Sequence, residues 1–170
     1  MRRNVFRALL PLMALPLMVA CPFKQEKDDT EKDILTLLAL PEQMEINGNW
    51  HDGFGTHNIQ ASKTITGEVS GYWNWGGSGT VLDFSNATRT TYVRTGVPSW
   101  CTNSGACECF DAGVCHNRNV WTKSGGTVYF CQIVYNKPTL DEARSDPAAA
   151  DATDLASGCN GFAWSTMTPQ

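Results

Sequence analysis

From Met44 onward, apolar and polar residues alternate in short runs broken by Gly and Asn, with Thr, Val, Ile and aromatic rings prominent among them. A period of two with β-branched and aromatic enrichment is the pattern of half-buried strands. It predicts strands near Met44–Asp52, His57–Ser62, Thr64–Ser70, Gly79–Phe84, Arg89–Arg94, Asn119–Lys123 and Thr127–Tyr135. The last two form the clearest hairpin. Val120-Trp121-Thr122-Lys123 and Thr127-Val128-Tyr129-Phe130-Cys131 flank Ser124-Gly125-Gly126, a three-residue glycine-containing loop.

Helical chemistry is confined to the two flanks of this β region. Ile34–Leu40, closed by Pro41 and preceded by Thr30 as N-cap, reads as a short amphipathic helix. Thr139-Leu140-Asp141-Glu142 matches a capping box, and Asp146-Pro147 places a cap before Pro at the start of an Ala-rich helical turn. No internal repeat is present. Short strands with a short helix on either side predict one mainly β domain, an antiparallel sheet closed into a barrel or sandwich. Closure removes the unpaired edges that an open sheet exposes.

Ahead of this domain the character of the chain changes. Residues 1–20 carry a basic head (Arg2, Arg3, Arg7) and an apolar stretch ending at Ala20, which reads as a secretory signal. Leu17-Met18-Val19-Ala20-Cys21 resembles a lipobox: Cys21 supplies the thiol for a diacylglycerol, Ala20 the small preceding residue, and Met18 stands where Leu is usual. Residues 24–33 are nearly all charged and read as a solvated tether, so residues 21–43 link a lipidated Cys21 to a domain at 44–170.

Removing the signal takes three arginines and no acid, so the 13 basic residues fall to ten against 17 acidic ones. That balance excludes nucleic acid as the expected partner, because phosphate binding needs a concentrated basic surface. With 42% hydrophobic and 18% charged residues, the chain can support its own core.

Seven cysteines leave six if Cys21 is acylated, an even number suited to an oxidising compartment. Cys131 and Cys159 stand apart and are expected to pair. Among Cys101, Cys107, Cys109 and Cys115, a 107–109 ring is strained. The turns Asn103-Ser104-Gly105 and Asp111-Ala112-Gly113 favour 101–107 with 109–115, and the crossed pairing is the alternative. Zinc is the rival use of four thiolates, but this spacing lacks the usual knuckles. Val97–Asn117 is then a stapled loop, a length that in compact domains is usually functional or disordered; staples that merely replace core are the plainer account.

No nucleophile motif appears, and no cofactor is implied. The only histidines are His51, His57 and His116. The first two flank Asp52 and could form a metal site with it, although ordinary loop histidines fit the spacing better. Asn86-Ala87-Thr88 matches a glycosylation sequon of little weight on a bacterial lipoprotein. Aromatic residues carry the remaining signal. Gly71-Tyr72-Trp73-Asn74-Trp75-Gly76-Gly77 puts Trp73 and Trp75 on one strand face, with Tyr72 and Asn74 opposite. Tyr72, Trp73, Trp75 and Trp100 are the candidate binding residues, able to stack on a sugar or anchor a protein. Barrel core with one exposed ring is the plainer account of the same rings.

Several stretches resemble small spirochaete surface lipoproteins of the leptospiral kind. They are Gly48-Asn49-Trp50-His51-Asp52 with Phe54-Gly55, Val120-Trp121-Thr122-Lys123 before Tyr129-Phe130-Cys131, Ala150-Asp151-Ala152-Thr153-Asp154, and Gly158-Cys159-Asn160-Gly161-Phe162-Ala163-Trp164-Ser165. Gly48-Asn49-Trp50 is also similar to the Gly-x-Trp of lipocalins, which implies a calycin-like barrel. The dense cysteine loop departs from the family's simpler pattern. The resemblance implies a β-domain lipid-anchored at the bacterial outer membrane or cell surface, and no catalytic residue.

The expected function is therefore a non-catalytic binding module, a host-component adhesin or a binder of an envelope protein or glycan. The alternative is a small-ligand carrier with a cavity lined by Trp50, Phe84, Trp121 and Tyr129; an envelope enzyme or enzyme inhibitor is a third. Replacement of Cys21→Ser is expected to move the protein from the detergent phase to the aqueous phase in a partitioning assay. Retention in the detergent phase contradicts the anchor.

Overall fold

The computed structural model describes residues 40–170. The expected signal, Cys21, the charged tether and all but the last residue of the expected Ile34–Leu40 helix lie outside the described residues.

Among the described residues, nine strands and one short helix follow in order. They are β1 (Glu42–Gln43), β2 (Gly48–His51), β3 (Thr56–Lys63), β4 (Val69–Trp75), β5 (Gly79–Ser85), β6 (Thr90–Gly96), β7 (Val114–Ser124), β8 (Thr127–Lys137), α1 (Leu140–Ser145) and β9 (Ser165–Pro169). Strands β2 to β9 pair antiparallel in chain order, and β9 closes on β2 through Trp50↔Pro169 and His51↔Thr168. The result is a closed eight-stranded up-and-down barrel, with β1 as an extra strand beside the end of β3. Barrel, not sandwich, is the outcome.

The expected strand at Met44–Asp52 is broken. Met44–Asn47 leaves the ladder, and the Asn47 side chain replaces a peptide unit there. Its Oδ1 accepts from Ala61 N at 2.8 Å and its Nδ2 donates to Ala61 O at 3.0 Å. The detour lets Met44 and Ile46 drop into the barrel, where both are fully buried. The strand expected at Thr64–Ser70 also moves. Thr64–Gly67 forms a turn, closed by Gly67 N on Thr64 O and by Glu68 N on Thr64 Oγ1, and the strand begins at Val69. Strand β9 was not expected from the sequence.

Inside, Trp73, Trp121, Phe84, Phe130, Ile59 and Met167 pack with Val81 and Val93 into one core. Each such buried side chain contributes about 1.5–3 kcal/mol of hydrophobic stabilisation. A second apolar cluster lies outside the wall. There the β8–β9 crossover covers the outward faces of Tyr92, Val120, Ile133 and Tyr129 with Ala143, Leu155 and Trp164.

At Thr139 the capping box forms in both directions: Glu142 N donates to Thr139 Oγ1, and Thr139 N donates to Glu142 Oε2. The second expected helical turn, after Asp146-Pro147, does not form. The Arg118 guanidinium draws the carbonyls of Asp146 and Ala148 onto itself, and Asp146 Oδ1 accepts from Ala148 N. Those groups are then lost to helical bonding.

The three disulfides join Cys101–Cys107, Cys109–Cys115 and Cys131–Cys159. Cys131–Cys159 ties the crossover to mid-β8 across a separation of 28 residues, against 6 for each loop bridge. Chain-entropy reasoning assigns the long bridge roughly 3–4 kcal/mol. Replacing Cys131 and Cys159 with Ser is expected to lower the melting temperature more than removing both loop bridges together. The reverse order in differential scanning calorimetry contradicts this ranking.

Candidate functional site

The up-and-down order gives the barrel two unlike ends. The chain enters at the near end, where β1 and Met44–Asn47 cross the opening. Asn86, in the β5–β6 turn, fastens that crossing: it accepts from Glu45 N at 2.8 Å and donates to Gln43 O at 2.7 Å and Glu42 Oε1 at 2.9 Å. Glu45 itself accepts the Trp121 indole N–H at 2.9 Å and pairs with Lys123 at 2.7 Å. The Lys123 bond, followed by the Trp121 bond, holds the Glu45 carboxyl below its ordinary pKa. The near end is plugged and tied on several sides.

At the far end four connections leave the barrel: residues 52–55, 76–78, 97–113 and 138–164. Just inside it lies a buried polar clamp. The Asp52 Oδ1 accepts from Phe54 N and Gly55 N, both at 2.9 Å, and so shapes the β2–β3 turn. Its Oδ2 meets His57 Nε2 at 3.2 Å, off the line of an ideal hydrogen bond. His57, fully buried on β3, accepts the Trp73 indole N–H on Nδ1 at 2.9 Å. An indole nitrogen only donates, so Nδ1 is unprotonated and the His57 proton sits on Nε2, toward Asp52. Burial is the largest influence on His57 and pushes its pKa down, against the opposing pull of Asp52. Trp75 stacks on the imidazole at 5.0 Å and 13°, and Phe130 closes edge-on at 5.1 Å. With one nitrogen engaged by Trp73 and the other facing Asp52, His57 has no free lone pair to take a proton from a nucleophile. The arrangement is a clamp between the β2–β3 turn and the aromatic core.

His57 is therefore a core residue and not a loop histidine, while His51 is exposed on β2. Among the described residues, no three His, Cys, Asp or Glu side chains gather as a metal site. Position 57 shares the inward parity of Ile59 and Ala61, and that parity is the signal in the sequence that could have placed it.

The expected aromatic platform divides. Trp73 and Trp75 do share a face, with Tyr72 and Asn74 opposite, but the shared face points inward. Trp73 is only 3% exposed, whereas Trp75, stacked over His57 at the rim, keeps 37% of its surface exposed, and Tyr72 lies on the outer wall. Trp100, in the stapled loop, is 61% exposed and apart from them. The expected loop at Val97–Asn117 ends at Gly113, because residues 114–117 pair with β6 as the start of β7; its cysteines, with Cys115 on β7, are buried together against Val97 and Phe110. Of the residues expected to line an internal cavity, Phe84 and Trp121 fill the core, Trp50 packs against it and Tyr129 faces the outer cluster.

Two concavities are found on the outside of the wall. One, of about 480 Å³, lies between β6–β8 and the Ala148–Ala152 strap, over Tyr92, Val120 and Ile133. The other, of about 340 Å³, lies on β2–β4.

Because the folded His57 is held below the ordinary value of about 6.5, the unfolded chain binds its proton first as pH falls. Stability is then complete above that pH and declines as pH drops through it toward the folded value. The carboxyls held low, Glu45 and Asp83, act in a separate and more acidic window. His57→Gln keeps an acceptor for Trp73, and is expected to flatten the slope of melting temperature between about pH 7 and 5. An unchanged slope contradicts the clamp.

Comparison with protein-family models, with curated proteins and with solved structures finds no match to this chain.

Proposed function

We propose that this chain is a lipid-anchored surface module of a bacterial envelope, non-catalytic, that holds a protein partner against the far end of its barrel. One observation carries the reading: among the described residues, four of the six exposed aromatic rings stand at the far end, while the entry end exposes only the aliphatic Leu40 and Ile65. Phe54 in the β2–β3 turn (84% exposed) and Trp100 in the stapled loop lie on far-end connections, whereas Phe162 sits lower on the wall where the crossover is bridged to Cys159. Trp75 and Tyr135 stand at the far-end termini of β4 and β8. Aromatic side chains exposed in this number are characteristic of partner contact. A leader and lipobox before residue 40 would attach the opposite end to the membrane and leave these rings outward. The packed interior weighs against carriage of a ligand inside the barrel, since a guest would have to displace Trp121 and Phe84.

The test uses the mature chain in detergent micelles and a partner recovered by crosslinking from the cell surface. Phe54→Ser, Trp100→Ser and Tyr135→Ser together are expected to weaken that complex by at least about tenfold. Ile65→Ser, an exposed residue in the near-end β3–β4 turn, is expected to leave it unchanged. Equal loss from both variants, or loss from Ile65→Ser alone, contradicts the reading.

A further inference from the structure

The outer face of β2–β4 is unusual in composition for a strand wall. Asn and Gly are depleted in strands, because the short amide competes with the backbone and glycine packs nothing. Yet the register sets Asn49 opposite Asn58 and Asn58 opposite Asn74, a row of amides across three strands. One step toward the near end, Gln60 stands opposite Tyr72 and Tyr72 opposite Thr80. A wall that needed only to be wet would be served as well by Thr, Lys or Glu, which fit strands better or carry charge. The costlier choice calls for a use.

These rows meet the concavity of about 340 Å³, lined by Asn47, Gly48, Asn49, Asn58, Gln60 and Tyr72 over Ile59. No lining residue is charged, although the chain is rich in acids. Asn47 is committed to the β3 backbone. The Tyr72 hydroxyl donates to Gln60 Oε1 at 3.0 Å, which leaves the Gln60 amide NH2 available. Among the described residues the Asn49 and Asn58 side chains have no protein partner, and each offers one acceptor and two donor hydrogens. Beside them Gly71 keeps the wall close: a Cβ there would overlap the Gln60 carbonyl oxygen and the Ala61 backbone, so β4 lies tight against β3.

We propose that this concavity is a binding site for a neutral hexose-based glycan. Vicinal hydroxyls of a pyranose present a donor and an acceptor side by side, which a planar carboxamide matches with two parallel hydrogen bonds. The apolar face of the sugar, with its C–H groups, needs an aromatic surface, and Tyr72 (38% exposed) is the ring at the site. The absence of a lysine or arginine in the lining removes the counter-charge that a sialylated or uronic glycan would require. The site lies on the barrel wall and is independent of the aromatic far end and of the membrane anchor.

Two-dimensional NMR of the whole mature chain, titrated with maltotriose, cellotriose, chitotriose and lactose, tests the assignment, with sialyllactose as the anionic comparison. At least one neutral sugar is expected to shift the side-chain amides of Asn49, Asn58 and Gln60 at concentrations below about 10 mM, the weak-affinity regime of a shallow site. Tyr72→Ala is expected to weaken that binding by about tenfold, whereas Tyr72→Phe, which keeps the ring, should hold it within about threefold. Tyr72→Phe also guards against a folding defect, because it leaves the strand face occupied. No shift from any neutral sugar overturns the proposal. So do shifts confined to the far-end loops, tighter binding of sialyllactose, or equal affinity of the Tyr72→Ala variant.

Discussion

Closure of the sheet by β9 is the constraint on which the rest of this molecule depends. The strand spans only Ser165–Pro169, has one buried residue, Met167, and ends on proline. It has little tendency to be a strand by itself. It is held between β2 and β8 because the crossover that precedes it is packed onto the outer wall and bonded there through Cys131–Cys159. Without that placement β2 and β8 would each expose an edge, and an eight-stranded barrel would become an open sheet. The disulfide, the Arg118 contacts to the crossover carbonyls and the Trp164 indole bond to Asp151 O all serve the same geometric end.

Once the ring is closed, its interior must be filled from the chain itself. The side chains of β3–β8 fill the middle, and the detour at Met44–Asn47 fills the near end by sending Met44 and Ile46 inward. The detour is possible because Asn47 substitutes for the backbone of the missing ladder residues and Asn86 holds the displaced segment from the other side. The far end uses a different solution. There polar groups are buried beneath Trp75: Trp73 donates to His57, Asp52 faces the other His57 nitrogen, and the turn amides donate to Asp52. A plugged near end and a clamped far end leave the outer wall and the far-end loops as the surfaces open to partners.

Much of the fold was legible in the sequence where local chemistry and tertiary context agree. The β7–β8 hairpin follows from alternation on both sides of the glycines, although Ser124 pairs with Thr127 and the loop is Gly125-Gly126 alone, both at positive φ; the α1 start follows from Thr139 and Glu142. The disulfide pairing followed from turn chemistry between the cysteines. What was not legible depends on distant partners. The Asp146-Pro147 segment has helical signals that Arg118, 28 residues away in sequence from Asp146, overrides. The break at Met44–Asn47 depends on Asn47 reaching Ala61, and β9 depends on two strands far from it in the chain. In each case the local preference was correctly read and then outweighed by contacts that only the closed barrel supplies.

The candidate residues divide along the same line. Alternation correctly separated the two faces of Gly71–Gly77, but period two does not say which face is the inside of a barrel. Trp73 and Trp75, the larger rings, are the natural choice for a display surface when read as a motif. In the barrel that face points inward: Trp73 fills the core, because a closed interior needs volume, and Trp75 caps it at the rim with part of its ring exposed. Tyr72 stays outside on the wall, and its neighbours across the sheet are amides that sit twelve to twenty-three positions away in the sequence. A surface assembled from Asn49, Asn58, Gln60 and Tyr72 exists only once β2, β3 and β4 are in register. The recognition chemistry of such a wall is therefore a property of strand pairing, and a scan for contiguous motifs passes over it.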